Sequence, residues 1–454
     1  MSVQQQVSPA TADHGAAGTD HRALRFLTAG SVDDGKSTLI GRLLFDSQAI
    51  LADQLDTLEK RAAGAPIDLS LLTDGLEAER EQGITIDVAF RYFATRKRKF
   101  IIADAPGHEQ YTRNMVTAAA GSDAAVVLVD ITKIDWRNTP AGQTVPLLPQ
   151  TRRHALLAHL LRVPSIVFAV NKLDAVDDPQ AAFAATQAAL LAFAAEAGLN
   201  GVAGIIPVSA LRGDNVTTPM AADWYQGPTL LQLLESLPTT QERTEGDLLQ
   251  PVQYVARDDA EDASASDAVK GSGHQSRVFW GRIAHGSVKA GDTVQVFPSG
   301  QGAIVAAVRR AGSTVARAQA GESAGIVLDR QLDISRGDWI GTPATLGAHQ
   351  RFTAMLCWLD TEPATVGRKY WVRHGNRWVQ ARITAIAHKL DIHTLAPIAT
   401  EELAVNEIGL VTVEAQQPLP VESFATNRIG GALIVVDPTS NRTSGALLVQ
   451  SPSA

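Results

Sequence analysis

The sequence predicts an α/β domain built on a mostly parallel sheet, followed by two all-β barrel domains. Three observations carry this. From Ala23 to about Leu237 short apolar runs alternate with helical stretches; beyond Leu237 short β-type runs are broken by tight turns. The 454 residues, at about 150 per domain, leave room for three domains.

The elements can be justified in chain order. Met1–Asp20 is polar and rich in Ala, Gly, Ser, Thr and Gln, without a basic start and apolar core, so residues 1–22 read as a flexible leader rather than a secretory signal. Leu24–Thr28, Phe100–Asp104, Ala124–Asp130, Ser165–Asn171 and Ile205–Val208 are apolar runs, and the last four are bounded by Gly, Pro, Asp or Asn, as expected of buried strands feeding functional loops. Helices are expected at Lys36–Leu44, Glu109–Ala120, Gln150–Leu161 and Pro179–Ala197, the last with Pro179 in its first turn and Gly198 just past its end. Strand–helix alternation of this kind builds right-handed crossovers and a parallel sheet. Residues 23–240 are therefore expected to form the α/β domain. Thr239–Gln250 is a polar linker. Turns at Lys289–Asp292, Pro298–Gly300 and Arg336–Asp338 punctuate one small barrel over 250–345, and a second runs over 350–448. Ile134–Pro149, with three prolines, and the acidic Arg257–Gln275 read as surface insertions.

Composition narrows the function. Forty Lys+Arg against 48 Asp+Glu give a net charge of −8, which gives no support to a general polyanion-binding surface and leaves room only for a local basic groove. With 45% hydrophobic and 19% charged residues the chain is ordinary globular material, and no uncharged apolar run is long enough for a membrane span. A single cysteine, Cys357, excludes an intrachain disulfide and a Cys-rich zinc site, which fits a cytoplasmic protein. The basic run Arg96–Lys99 lies between two β-type segments and reads as a solvated hairpin tip. His154 reads as structural, and Trp358, Trp371 and Trp378 as barrel core or subunit interface.

Gly30-Ser31-Val32-Asp33-Asp34-Gly35-Lys36-Ser37, continuing into Thr38, matches G-x-x-x-x-G-K-[ST] between an expected strand and an expected helix. The glycines let backbone N–H groups turn toward phosphate oxygens at a helix N-terminus. Lys36 would neutralise β/γ-phosphates and the Ser37 hydroxyl would bind Mg²⁺. Asp104, in Asp104-Ala105-Pro106-Gly107-His108, ends a strand in the same crevice and would hold Mg²⁺ through water, while Gly107 allows close approach of its amide to a γ-phosphate. Asn171-Lys172-Leu173-Asp174 follows another strand. The acceptor-only carboxylate of Asp174 can take two parallel donors, which guanine offers and adenine does not. Asn171 would fix neighbouring loops and contact the base, the Lys172 stem would cover its face, and Ser209-Ala210 would present backbone N–H to its carbonyl. In Glu81–Ile86 the residues alone leave Thr85 open between an ordinary loop and a switch that reaches Mg²⁺ and γ-phosphate only while triphosphate is bound.

These elements, with the trailing barrels, resemble the translation-factor GTPases and follow the layout of elongation factor Tu. Ser31 and Asp34 stand where elongation factors usually have histidines. Residues 30–44, Gln82–Ala89, Phe100–Asp104 running into Gly107–Met115, Gln150–His154, Trp224–Leu231, Pro251–Val255 and Ile334–Asp338 more closely resemble the large GTPase subunit of bacterial sulfate adenylyltransferase (ATP sulfurylase). The resemblance spans about Ala23 to Leu448. It implies a GTPase, using GTP and Mg²⁺, that pairs as a heterodimer or higher multiple with a smaller catalytic subunit. That partner makes adenosine 5′-phosphosulfate and pyrophosphate from ATP and sulfate, an uphill step driven here by GTP hydrolysis. No nucleic-acid or membrane partner is implied. By resemblance His108 positions the attacking water, and Thr85 closes over the γ-phosphate as a metal ligand beside Ser37 and Asp104. Both insertions are longer than the family leads one to expect, and neither is expected to touch a nucleotide element. Some relatives continue into an adenylylsulfate kinase; with one phosphate loop and an end at Ala454, this chain is expected to lack that activity. The alternatives are an elongation-factor-like GTPase that delivers RNA and a nucleotide-gated interaction module with negligible turnover.

Overall fold

The structure is a computed structural model that describes residues 23–50, 60, 68–72, 88–105, 112–140, 144–239, 244–257, 277–391 and 396–453. The expected leader 1–22, the Glu81–Ile86 segment with Thr85, Gly107, His108 and residues 258–275 of the acidic segment lie outside the described residues.

The N-terminal part is a six-stranded sheet. Its strands are β1 (Leu24–Ala29), β2 (Ala89–Ala94), β3 (Lys99–Asp104), β4 (Ala124–Asp130), β5 (Ser165–Asn171) and β6 (Val202–Pro207). They lie in the order β2-β3-β1-β4-β5-β6. All neighbours are parallel except the β2–β3 hairpin. Every residue of β4 and β5 is buried. Their side chains divide with the two-residue period of a strand: Val127, Val129, Phe168 and Val170 enter one buried cluster, Val126, Leu128, Val167 and Ala169 the other. Helices α2 (Thr112–Ala120), α3 (Pro149–Leu160) and α4 (Pro179–Glu196) fill the first cluster with Met115, Leu157, Phe183 and Phe193. Helices α1 (Lys36–Asp46) and α5 (Leu230–Ser236) fill the second with Leu39, Leu43, Leu230 and Leu234. A sheet covered on both faces explains why its strands read as uninterrupted apolar runs.

Two β-rich bodies follow. In the first, the sheet runs from Leu249–Pro251 through Trp339–Gly341, Thr293–Phe297, Gly302–Arg310, Ser323–Leu328 and Arg277–Arg282 to Tyr254–Arg257, and a bridge between Leu249 and His285 draws its ends together. In the second, Lys369–His374 pairs with Ala432–Val436 at one end and with Arg377–Leu390 at the other, so the sheet closes as a barrel. Its last strand, Thr443–Ser453, runs past Leu448. Cys357, Ile408, Phe424 and Leu448 of this barrel join the buried cluster of α3 and α4. The two β bodies meet where Trp339 stacks on His374 with ring centroids 4.6 Å apart.

Two expectations, for the basic run and for Ile134–Pro149, change. The basic run does form the turn of the β2–β3 hairpin, but Arg98 is buried, donating to the carbonyls of Glu235 and Leu237, and Lys97 pairs with Glu235 at 2.9 Å. Trp358 is core, whereas Trp378 is 49% exposed with Arg373 beside its ring. Ile134–Pro149 is no detached insertion: Ile134 and Val145 are buried in the sheet's core, and Arg137 pairs with Asp177 at 3.0 Å. It therefore lies against the loop after Asp174, where the two line a cavity of about 260 Å³.

Candidate functional site

The C-terminal ends of β1, β3, β4 and β5 all open on one crevice, the position where an open parallel sheet binds ligands. Gly30 to Ser37 connects β1 to α1. Gly35 has φ +91°, and a Cβ there would come 2.5 Å from Asn171 Nδ2, so only glycine suits the turn. The Lys36 ammonium folds back onto the loop and donates to the carbonyls of Gly30 at 2.8 Å and Ser31 at 2.7 Å. Burial lowers its pKa from the ordinary lysine value; Asp104 and Asp34 oppose that and favour the charged form. Ser37 and Thr38 are half-buried in the first turn of α1, where free amides and the helix dipole favour an anion.

Parallel pairing sets Thr28 opposite Asp104, and the Thr28 hydroxyl donates to the Asp104 carboxylate at 3.2 Å. Asp104 is 2% exposed. A carboxylate and the Ser37 hydroxyl offer hard oxygen donors of the kind Mg²⁺ takes alongside phosphate oxygens and water.

Asn171 joins the two halves of the crevice. Its Nδ2 donates to the Asp34 carbonyl at 2.8 Å, and its Oδ1 accepts from the Ala210 N–H at 2.9 Å. The buried Ser209 hydroxyl donates to Asp174 Oδ1 at 2.6 Å, fixing the rotamer of the half-buried carboxylate. From behind, Arg42 on α1 donates to the carbonyls of Ala210 and Leu211 at 3.3 and 2.6 Å. Of the site residues expected from sequence, the structure thus assembles Gly30 to Thr38, Asp104, Asn171, Lys172, Asp174, Ser209 and Ala210 around one crevice.

Two placements could not be read from sequence. The Asp34 carboxylate is fully buried and turned into the loop, accepting the Ser31 N–H at 2.6 Å and Lys133 Nζ at 2.9 Å. The Lys172 ammonium is anchored on Asp130 at 2.7 Å. Burial works against ionisation of Asp130, but Lys172 and Thr132 hold its pKa below the ordinary carboxylate value. Asp130, Lys133, Thr28 and Arg42 were missed by sequence reasoning. Asp130 did carry a signal, since it ends an apolar run as Asp104 and Asn171 do. His154 is buried in α3, and desolvation, with Lys36 and Arg153 nearby, pushes its pKa down to about 3, so it is a neutral core residue.

The elongation factor Tu GTP binding domain family matches residues 21–242, and the GTP-eEF1A C-terminal domain-like family matches residues 351–450. The chain is 42% identical to sulfate adenylyltransferase subunit 1 of Laribacter hongkongensis, covering 95% of this chain and 86% of that protein. It is also 42% identical to sulfate adenylyltransferase subunit 1 of Citrobacter koseri, over 94% and 86%. Bifunctional enzyme NodQ of Azospirillum brasilense is 44% identical over 96% of this chain and 67% of its own length.

Proposed function

Because the chain belongs to the sulfate adenylyltransferase subunit 1 family, we propose that it is the GTPase subunit of that enzyme, hydrolysing GTP to drive adenosine 5′-phosphosulfate and pyrophosphate synthesis from ATP and sulfate in a smaller partner subunit. The observation that supports a nucleotide site is the double hydrogen bond of Asn171, which ties the Gly30–Ser37 loop to the loop that carries Ala210. Delivery of RNA, the elongation-factor alternative, has no comparable support, since these relatives bear the sulfate adenylyltransferase name.

Within that site residues 30–38 bind the phosphates through backbone N–H groups and Lys36. The Asp174 carboxylate reads the guanine N–H edge, whereas the Ala210 N–H, expected at the base carbonyl, is instead taken by Asn171 Oδ1. Ser37, Asp104 and, by resemblance, Thr85 would hold Mg²⁺, which neutralises charge on the phosphates. By the same resemblance His108 orients the attacking water and Thr85 closes over the γ-phosphate. We take residues 23–240 as the GTP-binding domain, with barrels at 250–345 and from 350 to Ser453, past the expected end at Leu448, and place the complex in the cytoplasm. No helix among the described residues is long and apolar enough to cross a membrane.

The test is to purify the chain with and without a sulfate adenylyltransferase small subunit and measure GTP hydrolysis together with sulfate-dependent pyrophosphate release from ATP. The complex should make adenosine 5′-phosphosulfate faster and further with GTP than without. Synthesis indifferent to GTP would overturn the proposal.

A further inference from the structure

The phosphate loop contains a charge that ought to hinder its task. Asp34 lies one residue before Gly35-Lys36, and its side chain is 0% exposed within a loop that has to receive a polyphosphate. A buried carboxylate left alone there would repel the ligand. It is not alone: Lys133, from the turn after β4, donates to Asp34 Oδ1 and to the Val32 carbonyl, both at 2.9 Å. One ammonium thus compensates the carboxylate and pins the outer corner of the loop. Lys133 in turn lies 3.7 Å from Asp130 Oδ2, the atom that pairs with Lys172 at 2.7 Å. Asp34, Lys133, Asp130 and Lys172 form a run of alternating charges from the phosphate loop to the base-reading loop. Burial disfavours the ammonium of Lys133, but Asp34 and Asp130 outweigh it and raise its pKa above the ordinary lysine value.

We propose that Lys133 is a positioning residue for the nucleotide, acting through Asp34: it cancels the buried carboxylate and holds the phosphate loop in its receptive shape. The inference rests on this crevice being the GTP site. It also gives the turn after β4, which no sequence motif marked, a defined task.

The experiment titrates a fluorescent GDP analogue, with GDP and GMP as competitors, into the full chain carrying Lys133→Met, Asp34→Asn or both. Lys133→Met should weaken GDP binding by about tenfold or more, because removing one partner leaves the other charge buried and unpaired. The loss should be larger for GDP than for GMP, since the repulsion falls on phosphates; a loop that had merely collapsed would lose both alike. Adding Asp34→Asn should return affinity to within about threefold of the parent, a coupling only interacting residues show. Should Lys133→Met alone not fold, the double variant decides: folded and nucleotide-binding it supports the proposal, folded without binding it refutes it. GDP affinity within about twofold of the parent in Lys133→Met also refutes it. Failure of the unmutated chain to bind GDP would instead overturn the reading of the crevice.

Discussion

On the proposed reading, Lys36 and Asp174 would divide the recognition of one ligand between a charge and a geometry. Lys36 is a buried ammonium whose present partners are two backbone carbonyls. Lys36→Ala should therefore cost about 2–5 kcal/mol of nucleotide affinity, and for GDP and GTP this reads as near abolition in a fluorescent-nucleotide titration. Normal affinity would mean the loop does not bind phosphate. Asp174 is held by Ser209, and its role depends on accepting rather than donating. Asp174→Asn places an amide donor where xanthine has a carbonyl, so preference should move from guanine toward xanthine nucleotides by about 1–3 kcal/mol, the usual worth of a bidentate base contact. Competition of GDP against XDP measures it, and an unchanged preference would remove Asp174 from this role.

Among the elements, α5 shows how local sequence and tertiary clamping combine. Thr229 and Gln232 form a reciprocal capping box at its start, with the Thr229 hydroxyl accepting the Gln232 N–H at 3.1 Å. At its other end Arg98 and Lys97, from the β2–β3 turn, hold the Glu235 region. Thr229→Ala should lower unfolding stability by about 1 kcal/mol, read as a lower denaturant midpoint with unchanged slope. At this scale β4 and β5 were legible from sequence to the residue, because strands buried on both faces are continuous apolar runs. The strand expected at Ile205–Val208 instead spans Val202–Pro207. Its first half contains Gly204 and is partly solvated at the sheet edge, so it lacked the apolar signal. Helix α5 is too short for its periodicity to stand out, and Arg98 read as solvated because only the fold brings α5 over the hairpin.

At the scale of the whole molecule the described bodies are joined by buried residues from distant parts of the chain. Cys357, in the barrel, lies in the cluster packed on α3, and burial pushes its thiol up to about 12. A thiol reagent should leave Cys357 unlabelled in the native protein and label it once denaturant parts the barrel from the sheet; prompt labelling would contradict this packing. His374, stacked on Trp339 and bonded to the Gly430 carbonyl at 2.9 Å, is fully buried, and desolvation lowers its pKa to about 4. Unfolded histidine takes its proton near 6.5, so the unfolded chain binds more protons between about pH 6.5 and 4. The stability it confers is complete above the upper value and is lost as pH falls through this window. Melting temperatures measured across it should decline, and His374→Gln should flatten part of the decline; an unaltered slope would show that the folded chain does not hold His374 neutral across this window.

Much of this protein is written in local sequence. That the Gly30–Ser37 loop, the strand-terminal Asp104 and Asn171, and Asp174 share one crevice was legible because each rests on a spacing or on the end of an apolar run, and those patterns survive in one dimension. What required the tertiary structure was everything set by pairing across the chain: that Asp34 turns inward, that Lys133 meets it from 99 residues away, and that Asn171 ties two loops together. It also decided that the Ile134–Pro149 segment flanks the loop after Asp174. The physical reason is that a side chain's task depends on its partner and its solvent exposure. Sequence specifies the first atom of such a contact, while the fold supplies the second and removes the water between them.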